Sequence, residues 1–342
     1  MARRPTIADV AQLAGVSRAT VSFVLNNRPG VALATQQRVR SAAEKLGWTP
    51  SRSARALSTG RARAVGLVLT REPDLIGTDP FYPAFMAGIE SVISETGDGL
   101  MLQMSRPGDE VEIYRRLAAD RRVDGVFLSD VRLDDPRPEL VTELGLPAVV
   151  VGAVESETGL PTVNLDDRPV VRNAVRHLVE LGHRDIAYVA GPEEFVHARR
   201  RRQAWADALA EAGLPPGTSL PGGFTAEGGA RATRALLDRP NPPTAIVYGN
   251  DLSATAGMAV AQDAGLRLPD DLSVVGFDDV PLASWTSPTL TTCRANPVLW
   301  GRAAAQALVE VIERGTATDV ELDPATLVIR GSTGSVPVRG SR

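Results

Sequence analysis

Five stretches of this 342-residue chain carry side chains suited to holding hydroxyl groups. In GTDPFYPAF, Asp79, Phe81 and Tyr82 follow an apolar run, and later runs end on GVFLSD with Asp130, GPEEF with Phe195, GND with Asn250 and Asp251, and GFDD with Asp278 and Asp279. Carboxylates and an amide hydrogen-bond to hydroxyls, and aromatic faces stack on ring faces, so such a set suits a neutral polyol such as a sugar once it is brought together. Singly, the same Asn, Asp and Gly residues are ordinary turn and N-cap residues. The run Arg199 to Arg202 opens a helical pattern and reads as a solvated charge cluster, with one member free to point inward.

The elements that must position these residues are legible as apolar runs: AVGLVLT from 64, GLMLQMS from 99, GVFLSD from 125, PAVVVGA from 147, DIAYVAG from 185, TAIVYGN from 244 and LSVVGFD from 272. Each is followed by helix-like sequence. Runs of Val, Ile and Leu without polar alternation are buried on both faces, which predicts parallel sheets covered by helices. A break near Val163 to Asp166 separates two sets, giving two doubly wound α/β subdomains. Ligands of such folds bind at the carboxyl ends of the strands, so two facing subdomains form a cleft between them.

Ahead of this body, TIADVAQLAGVSRATVSFVLNN holds two short helical patterns separated by Ala-Gly-Val-Ser. Helices this short are marginal alone and must pack on one another. Thr6 with Asp9 three residues on approaches a capping box, Ile7, Val10, Ala11 and Ala14 form one apolar stripe, Gly15 suits a left-handed C-cap, and Ser17 suits the next N-cap. Val21, Val24 and Leu25 face one side of the second helix, leaving Arg18, Ala19, Ser22, Phe23 and Asn26 on another. A third stripe over Leu33 to Leu46, through Val39, Ala42, Ala43 and Leu46, closes a small core. The pattern fits a helix-turn-helix and equally a three-helix bundle with no partner.

Charge separates those readings. Residues 1 to 64 hold eleven basic side chains against Asp9 and Glu44, whereas the rest of the chain holds 26 basic and 39 acidic ones. A basic head on an acidic body is the electrostatic footprint of a nucleic-acid-binding module joined to something else. The connecting stretch PSRSARALSTGRARA has the Ala and Arg content of a helix but is too short and too charged to form one unaided. Against DNA its arginines would lie near phosphates and Leu57 would serve as an apolar minor-groove wedge; the other reading is a frayed connector.

Cys293 is the only cysteine, which leaves no intrachain disulfide and reads as a structural thiol. MARRPTIADV lacks an apolar run after its arginines, and no uninterrupted apolar stretch of about 18 residues occurs, so a cytoplasmic protein with no membrane partner is expected. The chain lacks a P-loop, a GxSxG elbow and a G-x-G-x-x-G after a strand, and His177, His183 and His197 have neither zinc-site spacing nor cysteine company. No cofactor, no metal and no enzymatic activity are expected. A periplasmic sugar receptor would share the two-subdomain body but would need a signal peptide and no basic head.

Over nearly its whole length the sequence resembles the LacI/GalR family of bacterial transcriptional repressors. The motifs that match are TIADVAQLAGVSRATVS at 6 to 22, SARAL at 53 to 57, AVGLV at 64 to 68, DPFY at 79 to 82, HLVELGHRDIAYVAGP at 177 to 192, SVVGFDD at 273 to 279 and PTLTT at 288 to 292. The resemblance implies a helix-turn-helix domain over 1–49, a hinge helix and linker over 50–63, and an effector-binding and dimerisation domain over 64–342. The last is a periplasmic-binding-protein-like body, within which the resemblance implies an N-subdomain of about 64–163 and 293–322 and a C-subdomain of about 164–289 and 323–335.

It further implies a homodimer on a palindromic double-stranded operator, with recognition helices one helical turn apart in successive major grooves. Arg18, Ala19 and Phe23 then occupy base-reading positions; Phe23 either touches a thymine methyl or reads no base. Thr6, Ser17, Thr20, Ser22 and Asn26 lie at the backbone with Arg52 and Arg55, and Leu57 falls on the minor-groove wedge. Arg201, Asn250 and Asp278 match sugar-hydroxyl ligands, Phe81 and Tyr82 the N-subdomain wall beside Asp79 and Asp130, and Phe195 the loop that differentiates specificities. Two departures stand out: Ala204-Trp205 where Gly and a smaller aromatic are common, and Ala32 where a Ser caps the third helix. The implied small-molecule effector is a sugar or sugar derivative; a ligand-independent or corepressor-dependent regulator is the alternative.

Overall fold

The computed structural model describes residues 5–25, 29–48, 61–71, 77–106, 108–155 and 157–336. Residues 50–60 of the predicted hinge and linker, with Arg52, Arg55 and Leu57, lie outside the described residues, as does Asn26.

Three helices form the head: α1 (Ile7–Ala14), α2 (Arg18–Leu25) and α3 (Leu33–Lys45). Local chemistry sets each boundary. The Asp9 carboxylate accepts both the Thr6 N–H and the Thr6 hydroxyl at 2.7 Å, which closes the start of α1. Gly15 ends it at φ 66°, a conformation that costs glycine nothing. Ser17 Oγ accepts the Thr20 N–H at 3.1 Å and caps α2. Ala32 offers α3 no side-chain cap, but Gln36 Nε2 donates to Val31 O at 2.8 Å beside it. Val10, Ala11, Ala14, Val21, Val24, Val39, Ala42 and Ala43 are buried together, as the apolar stripes predict.

The body alternates strands and helices. β1 (Ala64–Leu69), β2 (Gly99–Met104), β3 (Gly125–Leu128), β4 (Ala148–Val151) and β5 (Thr162–Asn164) are interleaved with α4 (Phe81–Ile93), α5 (Glu110–Ala119) and α6 (Arg137–Glu143). The pattern continues through α7 (Arg168–Glu180), β6 (Ile186–Ala190), α8 (Val196–Glu211), β7 (Ser219–Pro221), α9 (Ala226–Leu237), β8 (Ala245–Tyr248), α10 (Asp251–Asp263), β9 (Ser273–Phe277) and β10 (Thr291–Arg294). Then α11 (Pro297–Arg314) returns to the first subdomain, and β11 (Val320–Glu321) and β12 (Thr326–Val328) end the fold.

Two six-stranded sheets result, ordered β11-β5-β4-β3-β1-β2 and β12-β10-β9-β8-β6-β7. The seven apolar runs are all strands. The sheets are parallel except at one edge, where β12 runs antiparallel to β10. The five further strands are short and flanked by polar residues, and β10, Thr-Thr-Cys-Arg, is buried through its neighbours rather than through its composition. Cys293 and Arg294 therefore belong to the second sheet and Asn164 to the first, which moves two of the predicted subdomain boundaries by one or two residues.

The first subdomain is closed by α4 against α11, whose backbones meet at glycines. A Cβ on Gly88 would lie 2.2 Å from Val298 O, and one on Gly301 2.1 Å from Phe85 O. This contact seats Trp300 with its indole N–H on Val163 O at 2.9 Å and its ring against Phe81, centroids 6.1 Å apart. One wall of the cleft is fixed by it.

Candidate effector cleft and nucleic-acid interface

The carboxyl ends of the two sheets face a shared cavity. Asp79, Phe81, Tyr82 and Asp130 line it from the first subdomain, and Arg201, Asn250 and Asp278 from the second. Phe195 does not line it; the ring stands just beyond, stacked on His197 at 5.7 Å. Arg71, Asp167, His197, Phe224 and Trp300 complete the walls and were not singled out in the sequence. Arg71 directly follows the first strand region and Asp167 directly precedes α7, so strand-end position was the available signal for both.

On the first-subdomain side Asp130 is the organiser. It sits past β3 at φ 50°, and its carboxylate receives the Arg71 guanidinium through two hydrogen bonds of 2.9 Å and the Tyr82 hydroxyl at 3.0 Å. Burial alone would raise its pKa, but the charge and hydrogen bonds of Arg71 outweigh that and hold it well below the usual carboxylate range. Asp79 accepts the Phe81 N–H at 3.0 Å, and burial raises its pKa.

On the other side Arg201 is the pivot. Its Nε donates to Asp167, its Nη1 donates to Gly249 O at 2.9 Å, and its guanidinium lies 3.4 Å from the centroid of Phe277. Burial weakens the cation, yet the charges of Asp167 and Asp278 more than compensate and its pKa is raised. Asn250 serves two purposes, because its Oδ1 caps α10 through the Ser253 N–H at 3.1 Å while its Nδ2 donates to Phe224 O at 3.0 Å. Asp278, at φ 115°, has its own N–H on Cys293 O at 2.8 Å. Burial lifts its pKa well above the normal range; Arg201 opposes the rise and Asp79, Asp251 and Asp167 add to it. His197, buried and beside Arg201, titrates at about 3 and is neutral.

Among the described residues every cleft cation is already engaged. Arg71 is on Asp130, Arg201 on Asp167 and Gly249 O, and Arg200 Nη2 on Val154 O at 2.8 Å. An anion entering here would find Arg71 and Arg201 already neutralised by Asp130 and Asp167 and would face Asp79 and Asp278, with only Arg200 keeping its charge. A neutral ligand meets acceptors for its hydroxyls and the rings of Phe81, Trp300 and Phe224 for its apolar faces.

In the head, the outer face of α2 presents Ser17, Arg18 and Ala19 exposed and Thr20 and Ser22 half-buried, with Phe23 43% exposed. Val21 and Val24 point into the core. Ser17 and Thr20 share a hydroxyl contact of 2.9 Å, and the Thr6 hydroxyl is committed to Asp9. A short, partly basic helix face beside a tight turn has the dimensions to enter a major groove. No helix among the described residues is long and apolar enough to cross a membrane.

Comparison with known proteins agrees at both ends of the chain. Residues 6–51 match the model for bacterial regulatory proteins of the lacI family, and residues 175–333 match that for a periplasmic binding protein-like domain. The HTH-type transcriptional regulator CelR of Thermobifida fusca is 37% identical over 335 residues, covering 96% of this chain and 98% of that protein. Among solved structures, a CelR–cellobiose complex shares 35% identity and a TM-score of 0.74 over 96% of this chain and all of that one. A lac repressor dimer bound to operator and an anti-inducer superposes with a TM-score of 0.86 at 29% identity, covering 97% of this chain and all of that one.

Proposed function

The chain belongs to the lacI family of bacterial regulatory proteins and is a DNA-binding transcriptional regulator, not an enzyme, and we propose that it is a homodimeric repressor of a palindromic operator controlled by a neutral sugar in the cleft. The observation that carries the sugar is the ion pairing of Arg71 with Asp130 and of Arg201 with Asp167 beside Asp79 and Asp278. That arrangement disfavours phosphorylated or acidic sugars and suits hydroxyls stacked between aromatic rings. The CelR–cellobiose complex points the same way.

The dimer is supported by two large apolar side chains on the second subdomain, Leu282 at 53% and Trp285 at 83% exposure, a patch that a second copy would cover. Two-fold symmetry then sets the operator as two half-sites, with Arg18, Ala19 and Phe23 at the base edges, Ser17, Thr20, Ser22 and Asn26 on phosphates, and Thr6 near the DNA backbone as the cap of α1. The roles of Arg52 and Arg55 at phosphates and of Leu57 as a wedge rest on their sequence. Effector binding changes the angle between subdomains, shifts the first subdomains across the dimer axis, and so brings the two hinge segments together or apart.

The test is selection of bound sites from a random DNA pool at one fixed salt concentration, followed by calorimetric titration of cellobiose, maltose, glucose and glucose 6-phosphate. Recovery of a palindrome, lost on Leu57→Ala, with binding of a neutral sugar and none of the phosphate, supports the proposal. Tight binding of glucose 6-phosphate overturns the sugar assignment. Operator binding indifferent to every sugar favours a ligand-independent or corepressor-dependent regulator.

A further inference from the structure

The space inside the cleft is small. The inner cavity measures about 80 Å³, below the roughly 150 Å³ that takes up a benzene. Beside it lies a second, larger space of about 1020 Å³, a groove lined by polar groups that include Gln103, Arg106, Asp109, Glu112, Arg116 and Glu194. Among the described residues Arg71 alone lines both.

Arg71 belongs to the first subdomain through its paired hydrogen bonds to Asp130, but its guanidinium lies over rings of the second. It is 4.2 Å from the centroid of Phe195 and 5.8 Å from that of Phe224. Those two rings end a ladder: Phe195, His197 and Phe224 are nearly parallel, with steps of 5.7 and 5.6 Å and tilts of 8° and 7°. Phe195 faces the groove, whereas His197 and Phe224 line the inner cavity. No hydrogen bond joins Arg71 to the second subdomain among the described residues; the contact across the cleft is made by ring faces alone.

A flat cation on an aromatic face occupies the position a sugar ring takes when it stacks. Exchanging one for the other breaks no hydrogen bond between Arg71 and the second subdomain, because among the described residues Arg71 makes none there. We propose that Arg71 is a movable partition between cavity and groove, and that the effector is a neutral oligosaccharide of at least two rings. Neither ring fits while the partition stands; displacing the guanidinium from Phe195 joins the inner cavity to the groove, and the two rings occupy the joined space, where Gln103, Arg106 and Glu194 meet the hydroxyls of the outer one. Phe195 is thereby a length-selecting residue rather than part of the inner wall. This inference rests on the sugar reading above and goes further in naming the size class and the gate.

The experiment is calorimetric titration of glucose, cellobiose, cellotriose, maltose and maltotriose into the full-length wild type, Phe195→Leu and Arg71→Ala, with stopped-flow Trp fluorescence for association rates. The wild type is expected to bind one of the disaccharides at least about tenfold more tightly than glucose, and Phe195→Leu, which keeps apolar volume but loses the ring face, to cut that ratio about tenfold. Arg71→Ala is expected to raise the ratio of disaccharide to glucose association rates, and a ratio unchanged from the wild type overturns the partition. Glucose bound as tightly as every disaccharide, or a ratio unchanged in Phe195→Leu, overturns the partition and leaves the sugar reading intact. A folded, operator-binding protein that binds no sugar of the series overturns both.

Discussion

Replacing Arg201 by Met isolates what the buried ion pair of the cleft does. The Met side chain keeps an apolar stem over Phe277 but removes the cation that Asp167 faces. Arg201 and Asp167 are 7% and 5% exposed, so the aspartate left behind cannot be rehydrated without opening the subdomain. Deleting one partner of a buried, hydrogen-bonded pair costs about 3–5 kcal/mol, which is about two to four orders of magnitude in the folding equilibrium. Removing the orphan as well, in Arg201→Met/Asp167→Asn, restores part of that loss, with a coupling of about 2–3 kcal/mol expected for groups in direct contact. Urea titrations followed by Trp fluorescence and circular dichroism on the wild type, both single variants and the double variant give the cycle. Effector titration on the same four proteins separates stability from recognition, and the double variant is expected to be folded yet blind to sugar. A single-variant cost under about 1 kcal/mol, or costs that simply add, would refute the pivot role assigned to this pair.

In the head, Ser17→Ala removes the cap on the Thr20 N–H and is expected to cost about 1 kcal/mol of stability, read as a lower melting point with operator preference unchanged. Arg18→Ala should leave stability alone and relax preference at one base pair by about 1–3 kcal/mol, read by competition with operator variants. Gly301→Ala drives a Cβ into the Phe85 carbonyl and forces α4 and α11 apart, for an expected loss of at least about 1–3 kcal/mol in denaturant titration. Asp251, buried with hydrogen bonds from Thr292 Oγ1 at 2.6 Å and the Val280 N–H at 2.9 Å, titrates at about 7 because burial raises it. The folded state holds that proton more tightly than the unfolded chain, so stability is greatest below the unfolded pKa and falls as pH rises toward 7, by at most about 1.4 kcal/mol per pH unit. Asp251→Asn should lose this slope, and an identical pH profile in the two proteins would count against it.

Much of this architecture was legible because it is written locally. The seven long strands announce themselves as Val- and Ile-rich runs, and Thr6, Asp9, Gly15 and Ser17 specify the helix-turn-helix by chemistry that acts within three or four residues. The short strands were not legible. β10 is Thr-Thr-Cys-Arg and β11 is two residues long; they are strands because a neighbouring edge supplies hydrogen bonds, which no window of sequence contains. The cleft shows the same division. Asp79, Asp130, Asn250 and Asp278 could be picked out as polar residues at strand ends, but Arg71 and Asp167 owe their place to partners 59 and 34 residues away. Phe195 sits where the loop pattern suggested, though it faces the groove and not the inner cavity, because Arg71 stands between them.

The polar contacts across the cleft mouth among the described residues show how so small a ligand can govern the molecule. Besides the chain crossings near 166, 296 and 323, the mouth is closed by the Val196 N–H on Val131 O at 2.9 Å, the Leu133 N–H on Glu194 O at 3.3 Å, Arg200 on Val154 O, and Arg71 over Phe195. Such hydrogen bonds contribute about 1 kcal/mol each net, and a cation–π contact about 0.5–2 kcal/mol. Each is small beside the few kcal/mol that separates two exchanging conformations of one protein. A ligand shifts that balance only through contacts that differ between the open and closed states. Asp79 and Asp130 stand on one subdomain and Arg201 and Asp278 on the other, so a polyol spanning both sides makes its full set of hydrogen bonds only when the cleft is closed. An effector held by one wall alone, however tightly, would leave the operator-binding head unmoved.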